Sequence, residues 1–244
     1  MKHPEIGKNV RIAPNAVIHD NVIIGDDTII EDFCVIGYPA KNTSGPLIIG
    51  ANSHIRSHSV LYEGSFFDYR LVTGHSVLIR ENTIAGRYLQ VGSNSDIEGD
   101  CEFGHYVKIH TDVHVSKHTK IHNLVWLFPR VQFTNDPFPP SQYCEGIEVH
   151  DLAVISTGAL LLPGITIGLA SFVAAGSLVR RSVPDLTCVS GNPAKKIATI
   201  DRFHNYTYKL SLPWPKHFRE GYPEESFTMM DELLEKVNNL KQTL

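Results

Sequence analysis

The sequence predicts an all-β solenoid, in which short strands and tight turns repeat along one axis. Three observations predict it: an aliphatic residue recurs every sixth position, a small or β-branched residue follows four positions later, and Gly, Asn and Asp lie between them. The small residue and the next aliphatic residue are two apart, so a short strand turns both to the same side. The Gly, Asn and Asp residues supply the turn chemistry.

The aliphatic repeat occupies three uninterrupted tracts. It runs from Ile6 to Ile36, from Ile49 to Phe133 and from Val149 to Val179, which together hold 27 six-residue units. Ile, Leu or Val occupies 22 of the 27 repeat positions. So regular a period is typical of a solenoid rather than of a folded sheet with varied loops.

Glycine adds a longer period that sets the size of each coil. Gly74 and Gly92 are separated by 18 residues, as are Gly86 and Gly104. Three strands and three turns therefore make one triangular coil, and the repeat predicts nine parallel coils from about residue 6 to 184. With about 4.8 Å between stacked strands, the prism is about 43 Å long.

Two Pro-rich segments and a tail depart from the repeat. Residues 38–48 and 137–148 predict loops at the corners of the coils, where a solenoid tolerates insertions and often carries function. We expect residues 1–197 to form the solenoid domain and 198–244 to form an extended arm and a packing helix. Trp214, His217 and Arg219 in this tail are expected to be structural anchors, and the alternative is that they contact a ligand.

The repeat pattern [LIV]-Gly-x-x-small-x resembles the left-handed parallel β-helix of the hexapeptide-repeat acyltransferases. Three segments add to the resemblance: TGHSVLIRE at 73–81, FTNDPFPPS at 133–141 and VAAGSLVRRSVPDLTCVSGNPAKKI at 173–197. The last is similar to the acyl-CoA-binding end of these enzymes, and TND before a Pro-rich loop is similar to the branch acting on nucleotide-linked amino sugars. The resemblance implies left-handed coils, acetyl-CoA or another acyl-CoA as cosubstrate, and a homotrimer with active sites between subunits.

Residues 18 apart stack on adjacent coils, about 5 Å apart at Cβ. In this register Phe103, Ile109 and Val115 face inward, whereas His114 faces outward beside Asp96. Acyl transfer needs a nucleophile freed of its proton, and a carboxylate behind a histidine raises its basicity. We therefore predict His114 and Asp96 as the catalytic pair. The alternative is a solvated surface pair, because an amine can also lose its proton to water.

The corner that follows Asp96 and His114 holds the residues predicted to bind the acceptor. The 137–148 loop leaves this corner directly after Asp136. The predicted substrate-binding residues are Arg80, Glu81, Glu98, Asn135 and Asp136. Arg80 and Glu98 also suit a structural ion pair, and Asp136 is expected near His118.

Small residues on the last coils predict a cofactor site, because small side chains let a backbone approach a pantetheine arm closely. Basic residues nearby suit the phosphates of coenzyme A. The predicted cofactor-binding residues are Ser156, Gly158, Ala174, Ala175, Gly176, Arg180 and Lys195. The alternative is plain solenoid packing with a basic surface.

The sequence predicts no metal site, although it contains 13 histidines. His110, His114, His118 and His122 are four apart, as on a metal-binding helix. The six-residue register instead points them to different turns and faces.

Composition narrows the partners and the compartment. A formal net charge of −4 disfavours binding to nucleic acid or to a membrane surface. No apolar run approaches the roughly 20 residues of a membrane span, and the start of the chain lacks a signal-peptide core. Four widely spaced cysteines suggest a reduced, cytoplasmic protein without disulfides. Apolar side chains at many outward positions predict an oligomer.

The resemblance, together with the stacked residues, implies an acyl-CoA-dependent N-acyltransferase, most simply an N-acetyltransferase. Its expected acceptor is the amino group of a nucleotide-linked deoxyamino sugar. One alternative is O-acetyl transfer to a sugar or another small hydroxyl acceptor. A second is a non-catalytic β-helix assembly subunit, against which the intact 173–197 segment counts.

Overall fold

The chain forms a parallel β-solenoid of nine complete coils and part of a tenth. The computed structural model describes residues 3–43, 45–202, 204–205, 210–211 and 219–242. Three sheets form the walls of a triangular prism, and each coil gives one strand to each wall. The partial tenth coil begins where Val183 bridges to Ile167 and continues in the strand Thr187–Gly191.

The walls are named in chain order. Face 1 contains Glu5–Ile6, Val22–Ile24, Leu47–Ile49, Phe66–Phe67, Ile84–Ala85, Glu102–Phe103, Lys120–Ile121, Glu148–Val149 and Thr166–Ile167. Face 2 contains Arg11–Ile12, Ile29–Ile30, His54–Ile55, Val72–Thr73, Gln90–Val91, Lys108–Ile109, Trp126–Leu127, Val154–Ile155, Phe172–Val173, Thr187–Gly191 and the antiparallel Ala194–Thr199. Face 3 contains Val17–Ile18, Val35–Tyr38, Val60–Tyr62, Leu78–Ile79, Asp96–Ile97, His114–Val115, Gln132–Phe133, Leu160–Leu161 and Leu178–Val179.

The repeat positions fill the inside of the prism, as the sequence predicts. Phe103, Ile109 and Val115 are all less than 5% exposed, whereas His114 lies on the outer side with 30% of its side chain exposed. Fully burying one aliphatic side chain contributes about 1.5–3 kcal/mol, so the stacked interior is the main source of stability. Stacking at the predicted register is confirmed by the pairing of Asp96 with His114 across adjacent strands.

The turns depend on one left-handed residue per corner. On many coils the third residue after a buried repeat position has a φ of +56 to +59°, as at Asp27, Asn52, Asn82 and Asn94. Asn and Asp enter this region more readily than other residues with a Cβ. The turn composition read from the sequence therefore reflects a specific backbone requirement.

The corner that joins face 1 to face 2, called the helix corner, places bulky residues at the same left-handed position. Tyr88, Tyr106 and Leu124 have φ values of +56 to +61° and are buried. They pack in one apolar cluster with Met230 and Val237 of the C-terminal helix, Phe227–Lys241. Burial under the helix offsets the left-handed backbone, which costs about 1–2 kcal/mol per residue.

The tail combines the expected helix with a short hairpin. His204–Asn205 pairs antiparallel with Leu210–Ser211, and 3₁₀ turns occupy Ile200–Arg202 and Glu224–Ser226. Arg219 forms an ion pair with Asp231, whereas Trp214 and His217 lie outside the described residues. Within the described part of the chain, no helix combines the length and the apolar character that a bilayer span requires.

Two loops leave the corner that joins face 3 to face 1, called the loop corner. They comprise residues 39–46 and 134–147. The first is shorter than the predicted 38–48, because Val35–Tyr38 and Leu47–Ile49 pair with neighbouring coils at its two ends. The strands that flank the second loop also stay in register, so both loops project without shifting the stack.

Candidate functional site

The outer side of face 3 holds a hydrogen-bonded histidine and carboxylate. His114 Nδ1 lies 3.1 Å from Asp96 Oδ2 on the adjacent coil, and His114 Nε2 lies 3.8 Å from Glu98 Oε1. The hydrogen bond to Asp96 raises the pKa of His114, and it outweighs the opposing effect of partial burial. A carboxylate at Nδ1 makes Nε2 the free, basic nitrogen of the neutral ring.

Glu98 connects this pair to the second loop. Its Oε2 accepts hydrogen bonds from Asn135 Nδ2 at 2.7 Å and from the backbone N–H of Lys117 at 3.0 Å. The Asn135 carbonyl accepts the N–H of Glu145 at 2.8 Å, which closes the base of the loop. The structure therefore brings the predicted residues His114, Glu98 and Asn135 together at the loop corner.

Arg80 does not pair with Glu98, contrary to one interpretation of the sequence. It forms two hydrogen bonds to its neighbour Glu81, at 2.9 and 3.2 Å. The two residues follow one another in the turn, where their side chains lie side by side. The 18-residue period predicts contacts only between residues on adjacent coils. It therefore did not predict this contact between two neighbours in one turn.

A cleft of about 700 Å³ opens between the first loop and the loop corner. Residues 39–42 form one side, and Arg80, Glu81, Asp100 and Lys117 line the other. Lys117 Nζ lies 2.7 Å from Asp100 Oδ2. Lys117 also follows the His114 strand by two residues, so the cleft and the histidine belong to one continuous surface. Neither Lys117 nor any individual residue of the first loop was among the predicted site residues.

Asp136 was expected near His118, but its side chain instead forms hydrogen bonds within the second loop. Its carboxylate accepts hydrogen bonds from the backbone N–H groups of Phe138 and Ser141 at 2.9 and 2.7 Å. The Ser141 hydroxyl adds a third, at 2.6 Å. Hydrogen bonding to Ser141 lowers the pKa of Asp136. Its oxygens thus satisfy local donors, as in an Asx turn.

The small residues of the last coils gather at the corner that joins face 2 to face 3, called the shelf corner. Ser156 and Gly158 lie on one coil, and Ala174, Ala175 and Gly176 lie on the next. The Gly176 N–H donates to the carbonyl of Thr157 at 2.9 Å. A Cβ built at Gly158 or Gly176 would meet nothing within 4 Å, so this shelf is open to solvent.

The two predicted basic residues separate in the structure. Lys195 lies on Ala194–Thr199, opposite Ser190, next to the coil that carries Ala174. Arg180 follows the face 3 strand Leu178–Val179 and is therefore at the loop corner, away from the shelf. Arg180 follows a face 3 strand, whereas the small residues follow face 2 strands. The two groups therefore lie at different corners of the prism.

Known proteins share both the repeat and the fold. Residues 3–38 match the family model Bacterial transferase hexapeptide (six repeats). Over 53 residues the chain is 43% identical to 2,3,4,5-tetrahydropyridine-2,6-dicarboxylate N-acetyltransferase of Clostridium perfringens, covering 22% of each protein. It is equally similar to serine acetyltransferase 4 of Arabidopsis thaliana, again 43% over 53 residues, covering 22% of this chain and 15% of that protein.

A solved structure extends the likeness to nearly the whole chain. UDP-N-acetylglucosamine acyltransferase from Campylobacter jejuni superposes on 91% of this chain and 81% of its own, with a TM-score of 0.64 and 14% identity. The chain resembles the hexapeptide-repeat acyltransferases in its six-residue repeat and in its fold. The left-handed coil predicted from the sequence is the form that fits this hexapeptide-repeat family.

The sequence relatives match only part of this chain. The chain spans between 15% and 43% of the lengths of the curated relatives it matches. At 14% identity, the structural likeness is one of fold. The site described above is therefore interpreted from this chain's own residues.

Proposed function

We propose that this chain is an acyl-CoA-dependent N-acyltransferase, and that it transfers an acetyl group to the amine of a nucleotide-linked deoxyamino sugar. The observation that carries the proposal is the His114–Asp96 pair, held beside Glu98 and Asn135 at the base of the second loop. The match of residues 3–38 to the hexapeptide model and the local identity to acetyltransferases support acyl transfer. The similarity of FTNDPFPPS to the amino-sugar branch supports the acceptor.

The pair suits general-base catalysis of amide formation. With Nδ1–H bonded to Asp96, Nε2 of His114 accepts a proton from the acceptor amine as its nitrogen attacks the thioester carbonyl carbon. The C–S bond then breaks, the amide forms, and the coenzyme A thiolate takes up that proton. Glu98, 3.8 Å from Nε2, is placed to orient the amine.

The cleft at the loop corner is the proposed position of the nucleotide portion. Its volume of about 700 Å³ is ordinary for a small-molecule site, for which about 300–1,000 Å³ is typical. Lys41, Arg80 and Lys117 give it three cationic groups against the carboxylates of Glu81 and Asp100. A diphosphate would form charge-assisted hydrogen bonds with such groups.

The open shelf is the proposed contact surface for acyl-CoA. Its residues, Ser156, Gly158 and Ala174–Gly176, leave the backbone free to approach the pantetheine arm. Lys195 lies on the strand next to the shelf and is placed to bind a phosphate of acyl-CoA. Arg180 lies at the loop corner and would reach the cofactor only from that side. The proposed acetyl-CoA contact therefore centres on the small residues.

A homotrimer is part of the proposal, because the outer faces retain large apolar side chains. Val17, Phe66, Ile84 and Leu160 are 37–53% exposed in the single chain. Exposed apolar side chains that lie together mark interaction sites, and Phe66 and Ile84 are neighbours on face 1. The family resemblance implies that neighbouring subunits cover it and share the active site.

O-acyl transfer is the second candidate function, and the same histidine pair favours it. A hydroxyl is far more weakly acidic than a protonated amine, so its attack on a thioester depends more strongly on a base. Serine acetyltransferase 4, a partial relative of this chain, is named for acetyl transfer to serine, an acceptor that carries a hydroxyl group. The two candidates differ in acceptor and share the catalytic pair.

Thiol release from acetyl-CoA separates the candidates. We expect release with dTDP-, UDP- or GDP-linked amino sugars and none with the matching hydroxyl sugars. His114→Ala should lower kcat by about 10²–10⁴, the usual contribution of a general base. The matched control is His54→Ala, which removes a histidine bonded to Glu31 at 2.7 Å on face 2 and should leave kcat unchanged.

Three results would contradict the proposal in different ways. Release with hydroxyl acceptors alone would establish O-acyl transfer. No release with any acceptor would favour a non-catalytic subunit. Unchanged kcat and KM in both His114→Ala and Asp96→Asn would move the active site to another face.

A further inference from the structure

One column of the helix corner departs from its usual residue on three coils, at Asp68, His122 and His150. The first turn position after face 1 is glycine on six coils: Gly7, Gly25, Gly50, Gly86, Gly104 and Gly168. A Cβ built at Gly104 would lie 2.6 Å from an atom of the next coil, and one at Gly168 would lie 2.4 Å away. Sterics therefore favour glycine here. On two consecutive coils, however, the position is occupied by His122 and His150.

The two histidines converge on one carboxylate. His122 Nε2 lies 2.9 Å from Glu148 Oε1, and His150 Nε2 lies 3.9 Å from the same oxygen. The imidazole rings are parallel within 3°, with centroids 4.9 Å apart. One donor atom from each of the three residues lies within 4.8 Å of the others, and no other such trio of His, Cys, Asp or Glu occurs among the described residues.

We infer that His122, Glu148 and His150 bind a divalent transition-metal ion of the Zn²⁺ class. Two imidazoles and a carboxylate are donors that Zn²⁺, Co²⁺ and Ni²⁺ accept, and they leave a fourth position open. Zn–N bonds of about 2.0–2.1 Å require tetrahedral donors about 3.3 Å apart. The side chains are 38–43% exposed, so their rotation can close the donors to that spacing.

The surroundings suit an ion that enters from solvent. A groove of about 370 Å³ runs beside His122 and Glu148. Lys120, the nearest cation along the strand, is already paired with Glu102 at 3.0 Å.

The ion would join two coils that the second loop separates. His122 precedes residues 134–147, whereas Glu148 and His150 follow them. Binding to this folded arrangement stabilises it relative to the unfolded chain, where the donors are apart. The site is independent of the proposed acyl transfer, because it lies at the helix corner rather than at the loop corner.

Zn²⁺ binding to the full, tag-free chain tests the inference. We expect one equivalent per chain in competition with a chromophoric chelator, and visible absorption bands of tetrahedral Co²⁺ on substitution. His122→Gly and His150→Gly restore the column's common residue, so both variants should fold. Each should weaken binding at least about 100-fold, since changing even an outer-shell partner costs 10–100-fold.

His54→Ala is the matched control, because it removes a histidine–glutamate pair that belongs to no three-donor cluster among the described residues. It should bind Zn²⁺ like the unaltered chain and show the same rise in Tm when Zn²⁺ is added. The double variant His122→Gly/His150→Gly should show no such rise. Equal affinity for Zn²⁺ in the double variant and the unaltered chain, or no stoichiometric site in the latter, would overturn the inference.

Discussion

His114 illustrates how neighbours set the chemistry of one side chain. Its hydrogen bond to Asp96 raises its pKa, burial opposes this, and Glu98 adds a further favourable interaction with the charged ring. The raised pKa means that the imidazole keeps its proton to a higher pH than an isolated histidine. Its basic form therefore becomes populated as the pH rises through that raised value.

Replacing Asp96 by Asn should move the pH profile in a defined direction. Asn keeps the shape and an acceptor oxygen but removes the charge, so the pKa of His114 falls. The acidic limb of kcat/KM should then shift to lower pH, with a lower plateau because the weaker base drives proton transfer less. A pH–rate series on the unaltered chain and Asp96→Asn measures both effects.

The control for this series is Glu102→Gln, which removes a carboxylate paired with Lys120 on a different face. It should leave the profile in place. If Asp96→Asn has the same profile as the unaltered chain, His114 does not supply the titrating group.

At the scale of one corner, the shelf makes a steric prediction. Ala174→Trp should fill the space proposed for the pantetheine arm and abolish binding of acetyl-CoA, measured by calorimetry. Ala13→Trp places the same side chain at the equivalent turn position of the first coil, and should leave binding unchanged. Both variants should keep the native oligomer size in light scattering. Undiminished affinity in both Ala174→Trp and Ala175→Trp would exclude the shelf as the site.

The elements that follow the 18-residue period could be predicted from the sequence. Asp96 and His114 meet because the period places them on adjacent strands, and Glu98 and Asn135 are carried to the same corner by that period. Coils, faces and buried positions follow from the same arithmetic. Repeat geometry is local and regular, so sequence spacing translates directly into position.

The contacts that the period does not describe were missed. Asp136 turns to donors two and five residues ahead in its own loop. His122 and His150 stack across 28 residues rather than 18, because the second loop inserts ten residues between their coils. An insertion thus hides a column from any search that uses a constant spacing.

For the whole molecule, the tail adds long-range contacts to a scaffold whose coils touch mainly their neighbours. Tyr222 is 8% exposed, and its hydroxyl accepts a hydrogen bond from Trp126 Nε1 and donates one to the Tyr106 carbonyl. Lys108 Nζ lies 4.0 Å from the centroid of the Tyr222 ring and donates a hydrogen bond to the Gly221 carbonyl. The adjacent coils that carry Tyr106 and Trp126 are therefore both held by contacts with this one segment of the tail.

Tyr222→Ala should consequently lower the free energy of unfolding by about 3–5 kcal/mol, the usual cost of truncating a buried aromatic residue. Urea denaturation followed by circular dichroism measures the change. Tyr143→Ala, at a tyrosine that is 73% exposed in the second loop, is the control and should cost little. Equal unfolding midpoints for the two variants would show that the tail contributes no stability to the coils.

Two loops leave one corner while the strands beside them keep their register. Changes in loop length and changes in strand register therefore have different costs during evolution. Doubling the length of a flexible loop costs only about 0.6 kcal/mol in closure entropy. Shifting a strand by one residue would instead turn its buried side chains outward. Insertions and deletions at the loop corner can therefore vary the proposed acceptor site across a lineage without moving the buried residues of the prism.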